Sequence, residues 1–235
     1  MINVMARRIV EFYAGICVVV GYVERNTFVP TGTGFGIDEV GHILTCAHCL
    51  RIDRETVIFA FGISDEYKYE DVDRRVREGQ AGFSRANICQ YDGRSDCALL
   101  KAADLSTNIN CIDKLQSGNA VHVGESIVYM GYPFCNRGLY SQKFGFSLVG
   151  SKLIDSRGNK KFQIDASAHE SISGGPVIDI GTGRIIGMIS GRFSPTGPNK
   201  LISVGDYGLG QESTISFCAT MDSSIDLLKA EGIYV

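Results

Sequence analysis

Asp165-Ala166-Ser167-Ala168-His169-Glu170-Ser171-Ile172-Ser173-Gly174-Gly175-Pro176-Val177 concentrates small residues in one short stretch, with Ser173 set directly before two glycines and a proline. That composition suits a backbone that bends sharply and holds a hydroxyl in the open. A serine hydroxyl is inert alone. It becomes a nucleophile only beside a base that takes its proton, with a third group to orient that base.

The base must come from four histidines, at positions 42, 48, 122 and 169. Two lie in Gly41-His42-Ile43-Leu44-Thr45-Cys46-Ala47-His48-Cys49-Leu50. There Cys46, His48 and Cys49 also have the residue types of a metal site. Structural zinc sites usually repeat a Cys or His pair elsewhere, and this chain has no second pair, so neither metal nor cofactor is expected. For the orienting acid, Asp96 in Asp96-Cys97-Ala98-Leu99-Leu100-Lys101 stands at the mouth of an apolar strand. Taken alone it reads as a turn residue or as a buried partner for a basic group.

Composition bounds the rest. The 235 residues are 44% hydrophobic and 21% charged, as in an ordinary globular protein. A net charge of −3 implies no nucleic-acid partner. Twenty-eight glycines against five prolines favour short strands joined by tight turns. Arg7 and Arg8 precede an apolar run from Phe12 to Val23, which superficially copies a secretory leader. Glu11 intrudes, no small-x-small cleavage site follows, and the run is too short to cross a membrane. The expectation is a cytoplasmic protein whose eight cysteines stay mostly reduced.

In chain order, Ile2, Met5, Ile9, Phe12 and Ile16 are spaced for a leading amphipathic helix, and the β-branched run Cys17–Val23 for a first buried strand. The glycines of Thr31-Gly-Thr-Gly-Phe-Gly-Ile-Asp38 resemble a phosphate loop, but no Lys-Ser/Thr or helix pattern follows, so a strand with close backbone approach is expected. The charged segment 64–80 reads as a solvated helix or surface insertion, and 102–117 as a connection between two halves. Further strands are expected at 121–134, 144–154, 162–164, 177–180, 184–190 and 214–220. A closing helix follows, capped by Asp222 or Ser223 and stopped by Gly232.

His48, Asp96 and Ser173 occur in the chain order of trypsin-fold serine proteases, inside Leu-Thr-Cys-Ala-His, Asp-Cys-Ala-Leu-Leu-Lys and Ser-Gly-Gly-Pro-Val. Thr-Gly-Thr-Gly-Phe-Gly-Ile, Val-Gly-Glu-Ser-Ile-Val-Tyr-Met-Gly-Tyr-Pro-Phe, Gln-Ile-Asp-Ala-Ser-Ala-His and Ile-Ser-Phe-Cys-Ala-Thr resemble the HtrA (Deg) branch in particular, over about residues 15–230. The resemblance implies an all-β fold of two six-stranded antiparallel barrels with short terminal helices, divided near residue 115. It implies an endopeptidase with His48 as general base, Asp96 as its orienting partner and Ser173 as nucleophile. The backbone N–H groups of Ser171 and Ser173 would form the oxyanion hole. Ser167, Ala168, Ser190, Gly191 and Arg192 would line the pocket for the residue before the cleaved bond.

Departures from the family qualify this. Ser171 stands where the family usually has glycine, which makes the resting geometry of the hole an open point. Ile172 replaces the acid that zymogen-type relatives pair with a new N-terminus. Near Thr33 no cysteine is placed to bridge Cys49, which is expected to be a free thiol. The chain reaches Val235 soon after the closing helix, so a PDZ domain is not expected. Two readings follow: an endopeptidase acting on peptide or protein substrates, with residues 168–172 either already ordered or latent until a partner or substrate orders them, or a pseudoprotease that binds peptides or a protein partner through the same cleft.

Overall fold

The structure is a computed structural model that describes residues 2–60, 82–102, 105, 110–192, 202–204, 207–209 and 215–235. The chain opens with helix α1, Ile2–Tyr13, which buries Ile9 and Tyr13. Gly15 and Ile16 lie beyond its last turn, so Ile16 anchors the exit from the helix instead of extending its stripe.

Seven strands follow: β1 (Cys17–Glu24), β2 (Thr27–Gly36), β3 (His42–Thr45), β4 (Thr56–Phe59), β5 (Phe83–Arg85), β6 (Asn87–Asp92) and β7 (Cys97–Lys101). They form one antiparallel sheet in the order β5-β4-β1-β2-β3-β7-β6. The sequence implied six strands in a closed barrel. The difference has a simple cause: only Ala86 separates β5 from β6, and its N–H still reaches Thr56 O at 3.0 Å. These two are one strand bent at Ala86, pairing with β4 before the bend and with β7 after it. The sheet therefore curls shut through a covalent bend and not through a further ladder.

The second half contains β8 (Ser126–Gly131), β9 (Lys143–Ile154), β10 (Lys160–Asp165), β11 (Pro176–Asp179), β12 (Ile185–Arg192) and β15 (Ile215–Thr220). They close into a barrel, β10-β15-β12-β11-β8-β9. A small hairpin of β13 (Ile202–Val204) and β14 (Tyr207–Leu209) was not foreseen. The charged segment 64–80 lies outside the described residues. No helix among them is long and apolar enough to cross a membrane.

Period-two alternation explains the cores. Along β1, Val18 and Val20 fill the first sheet with Ile43, Ile58 and Leu100, while Cys17 and Val19 face the other way. There they join Phe35, Leu44, Met130, Tyr132, Ile178 and Met188 in a core shared by both halves. The barrel has its own filling, built on Ile127, Tyr129, Phe162, Ile164 and Ile189. Helix α2, Asp222–Ala230, closes the chain against β7 and β6. Its N-cap is Met221, without a side-chain cap. Asp222 serves the connection instead, accepting from Ser117 Oγ at 2.5 Å and from Gly118 N at 3.2 Å. Gly232 ends the helix at φ +79°.

Candidate active site

The segment that carries His48 is a single 3-10 turn, Ala47–Cys49, placed where β3 leaves the sheet. Asp96 sits one residue before β7, the neighbour of β3, so adjacent strand ends bring the two residues together across 48 positions of sequence. His48 Nδ1 lies 2.8 Å and 2.9 Å from the two Asp96 oxygens, and His48 N–H donates to Asp96 Oδ1 at 3.0 Å. Two contacts to one carboxylate fix both ring and backbone. Asp96 holds φ at 59°, a left-handed conformation that aspartate tolerates. The carboxylate raises the imidazole above its ordinary value, with Cys49 adding to the effect. The other acid of this turn, Asp92, accepts from Arg94 N, Ser95 N and Ser95 Oγ.

Ser173 comes from the turn between β10 and β11. Its carbonyl accepts Thr33 N–H at 2.8 Å and the Cys49 thiol at 3.5 Å, which holds the serine beside the residue that follows His48. Gly174 is required next: it sits at φ +91°, and a Cβ there would lie 1.9 Å from Thr33 O. No hydrogen bond joins the Ser173 hydroxyl to His48 among the described residues; such contacts commonly tighten only when substrate is bound.

Ser171 adopts φ 68°. The left-handed backbone that glycine would supply is thus reached by serine, at about 1 kcal/mol. Its side chain is buried, and its carbonyl accepts Thr33 Oγ1 at 2.9 Å. Phe134 N–H holds the Glu170 carbonyl at 2.7 Å, so that oxygen is engaged away from the amide of Ser173. Neither Ser171 N–H nor Ser173 N–H donates to another protein group among the described residues. The loop is braced further by His169 against Phe134, ring centroids 4.8 Å apart, and by Glu170 with Asn136 and Arg137 at 3.1 Å and 3.3 Å. Those two donors keep the Glu170 carboxyl below its usual range.

Both segments expected in the pocket, 167–168 and 190–192, converge on β15. Ala168 N–H donates to Ser216 Oγ at 2.9 Å, Ser216 opposes Arg192 in the ladder, and Ser190 Oγ donates to Phe217 O at 3.3 Å. Space is open beside Gly191, Ser167 is half-buried and Arg192 is exposed. A cavity of about 460 Å³ lies elsewhere, at the mouth of the barrel between Val121, Lys152, Ile154, Phe162 and Thr220.

Ligand atoms of Cys46, His48 and Asp96 come within 4.8 Å of one another. They already answer one another and the backbone: Cys46 Sγ donates to Ile189 O at 3.3 Å, and both Asp96 oxygens meet the ring. Sequence reasoning missed Thr33 and Phe134, which position the loop through backbone contacts that leave no pattern in residue types. The glycine run around Thr33 was the available signal, since it marks close backbone approach.

A curled sheet bearing a His-Asp pair, joined to a closed barrel whose Ser-Gly-Gly turn reaches back to it, defines the trypsin fold. The chain belongs to the family of trypsin-like peptidase domains, which it matches over residues 32–188. A probable periplasmic serine endoprotease, DegP-like, of Brucella suis biovar 1 is 28% identical over 178 residues, 72% of this chain and 29% of that one. The chloroplastic Protease Do-like 5 of Arabidopsis thaliana is 25% identical over 208 residues, 86% of this chain and 57% of that one. A solved structure of the HtrA-type protease AlgW with a tripeptide has TM-score 0.69 and 16% identity, over 96% of this chain and 62% of that one, a likeness of fold. The chain thus spans under a third of the Brucella relative's length.

Proposed function

We propose that the chain is a serine endopeptidase in which Ser173 is the nucleophile, His48 the general base and Asp96 the residue that positions His48. Ser173 Oγ attacks the peptide carbonyl as His48 Nε2 takes its proton. The proton then passes to the leaving amine, and water repeats the sequence on the acyl-enzyme. The amides of Ser171 and Ser173 receive the developing oxyanion. Asp96 holds the tautomer that leaves Nε2 free to accept. The observation that carries this reading is the His48–Asp96 pair set beside a Ser173 loop whose two amides are unengaged.

The same loop bears on latency. Phe134 on the Glu170 carbonyl and Thr33 on the Ser171 carbonyl favour a hole formed in the free chain over one that awaits a partner. Peptide substrates are supported by the relative solved with a tripeptide. Eight unbridged cysteines support a cytoplasmic site of action, although relatives are named as periplasmic and chloroplastic.

Covalent labelling with a fluorophosphonate probe tests the assignment. Rapid stoichiometric labelling of the parent is expected, with none in Ser173→Ala, whose peptidase turnover falls by about 10⁶. A folded parent that takes up no probe supports the peptide-binding pseudoprotease instead. Slow, partial labelling accelerated by a partner supports latency.

A further inference from the structure

We propose that Arg157 and Asn159, at the tip of the β9–β10 hairpin, are positioning residues for Asp96: they clamp the turn that presents its carboxylate to His48. That turn, between Asp92 of β6 and Cys97 of β7, belongs to the sheet of the first half, whereas the hairpin belongs to the closed barrel of the second. Arg157 Nη1 donates to Gly93 O at 3.1 Å, with Arg94 O at 3.5 Å, and Asn159 Nδ2 donates to Arg94 O at 2.9 Å. The grip is reciprocal, because Arg94 Nη2 donates to Arg157 O at 3.0 Å. The two halves therefore hold each other just ahead of Asp96 in the chain.

Both sides of the clamp are shaped by an acid of their own. In the hairpin tip, Asp155 Oδ1 accepts from Arg157 N and Asn159 N, each at 2.9 Å, and Oδ2 accepts from Asn159 Nδ2 at 3.2 Å. Lys161 Nζ lies 3.3 Å from the same carboxylate. Asn159 Nδ2 thus serves the tip and the facing turn at once. Across the interface, Asp92 accepts from Arg94 N, Ser95 N and Ser95 Oγ. Asp92 fixes the shape of the turn; the clamp fixes where that shape sits. Asp96 follows directly at φ 59°, so a tilt of the turn carries its carboxylate away from His48.

The titratable groups that face His48 are Asp96 and Cys49, and the bond to Asp96 does most to raise the imidazole. A loosened turn weakens that bond and lets the value fall. Loss of the Arg157 charge by itself acts in the opposite sense, because removing a cation favours the protonated ring. The sign of the shift therefore separates position from charge. Misplacing a reacting group by about 1 Å costs about 10² in rate. Asp92 still braces a turn freed from the clamp, so the expected cost is smaller, about tenfold.

The effect on rate rests on the endopeptidase reading; the effect on His48 does not. The test compares the full chain with Arg157→Met, which keeps the length of the side chain without its donors, and with Arg157→Lys, which keeps the charge and an N–H donor. Fluorophosphonate labelling is followed against pH, and the His48 imidazole is titrated by NMR, assigned with His48→Gln. Arg157→Met is expected to label about tenfold more slowly, with both the acid limb of labelling and the His48 titration moved to lower pH. Arg157→Lys is expected to recover most of each. Arg94→Met cuts the clamp from the other side, is expected to shift both readouts in the same direction, and decides the matter where Arg157→Met does not fold. A His48 titration that stays in place or moves upward in the folded variants overturns the proposal. Parental labelling beside a lowered titration overturns the role in rate. A parent that never labels overturns the endopeptidase reading, and the His48 titration alone then decides the clamp.

Discussion

Among the described residues, two histidine–aspartate pairs have nearly the same wiring and opposite surroundings. In one, Asp38 accepts from His42 N at 2.9 Å and meets His42 Nδ1 at 2.5 Å. In the other, Asp96 accepts from His48 N at 3.0 Å and meets His48 Nδ1 at 2.8 Å. The first pair is closed within the β2–β3 turn, with side chains only 8% exposed. The second joins distant segments and leaves His48 at 48% and Asp96 at 23% exposure. The wiring alone therefore does not make a base. What distinguishes the second pair is an accessible ring beside a serine turn, whereas the sealed pair pins a turn and satisfies its own polar atoms.

The comparison can be broken most severely at Asp96. Asp96→Asn is expected to leave the fold intact and lower kcat by about 10⁴, because the amide favours the wrong imidazole tautomer. Near-parental turnover in a folded Asp96→Asn protein would remove this acid from the site. The matching change at the sealed pair, Asp38→Asn, acts on stability. Unfolding by denaturant is expected to show a loss of about 1.5–3 kcal/mol, the range for a hydrogen bond to a charged group, with labelling of the folded protein unchanged. A faster or slower labelling rate in that variant would show that the two pairs are coupled.

Acidity sharpens the contrast further. In its proposed role His48 must be neutral to accept the serine proton, and Asp96 raises its pKa. The acid limb of kcat/KM is thus expected above the ordinary imidazole value of about 6.5, moving down in Asp96→Asn; a limb at the same pH in both proteins would contradict the pairing. For stability the sign is opposite. A raised histidine stabilises the fold fully below its unfolded value, and that contribution fades as pH rises through the folded one. Exposure of His48 keeps it small.

The smallest effect concerns selectivity. Ser167, Ala168, Ser190, Gly191 and Arg192 include no acid. A peptide-library profile is expected to favour small or uncharged residues before the cleaved bond, with acidic ones next. Predominant cleavage after Lys or Arg would refute this pocket.

Much of the fold was legible because strands with period-two burial and glycine-marked turns repeat through the chain. The Ser-Gly-Gly-Pro and Ala-His segments were legible because their residue types are tied to backbone shape. The bend at Ala86 was not, since a strand changing partners leaves no local signature. Asp96 taken alone reads as a turn residue, and it does end the β6–β7 turn at φ 59°, but its long-range pairing with His48 is invisible in residue types. Phe134 at φ 56° was equally hidden, because nothing in a phenylalanine announces a left-handed backbone.

Thr33 accepts or donates in four directions: its N–H to Ser173 O, its Oγ1 to Ser171 O, Tyr132 N–H to its Oγ1, and Thr45 Oγ1 to its carbonyl. The consequence is one of timing during synthesis. The half that carries His48 leaves the ribosome first, and Ser173 arrives well over a hundred residues later on a turn shaped by contacts with the earlier half. Until the halves dock, neither carries all three of His48, Asp96 and Ser173. On the proposed assignment, the site is therefore assembled only at the last stage of folding.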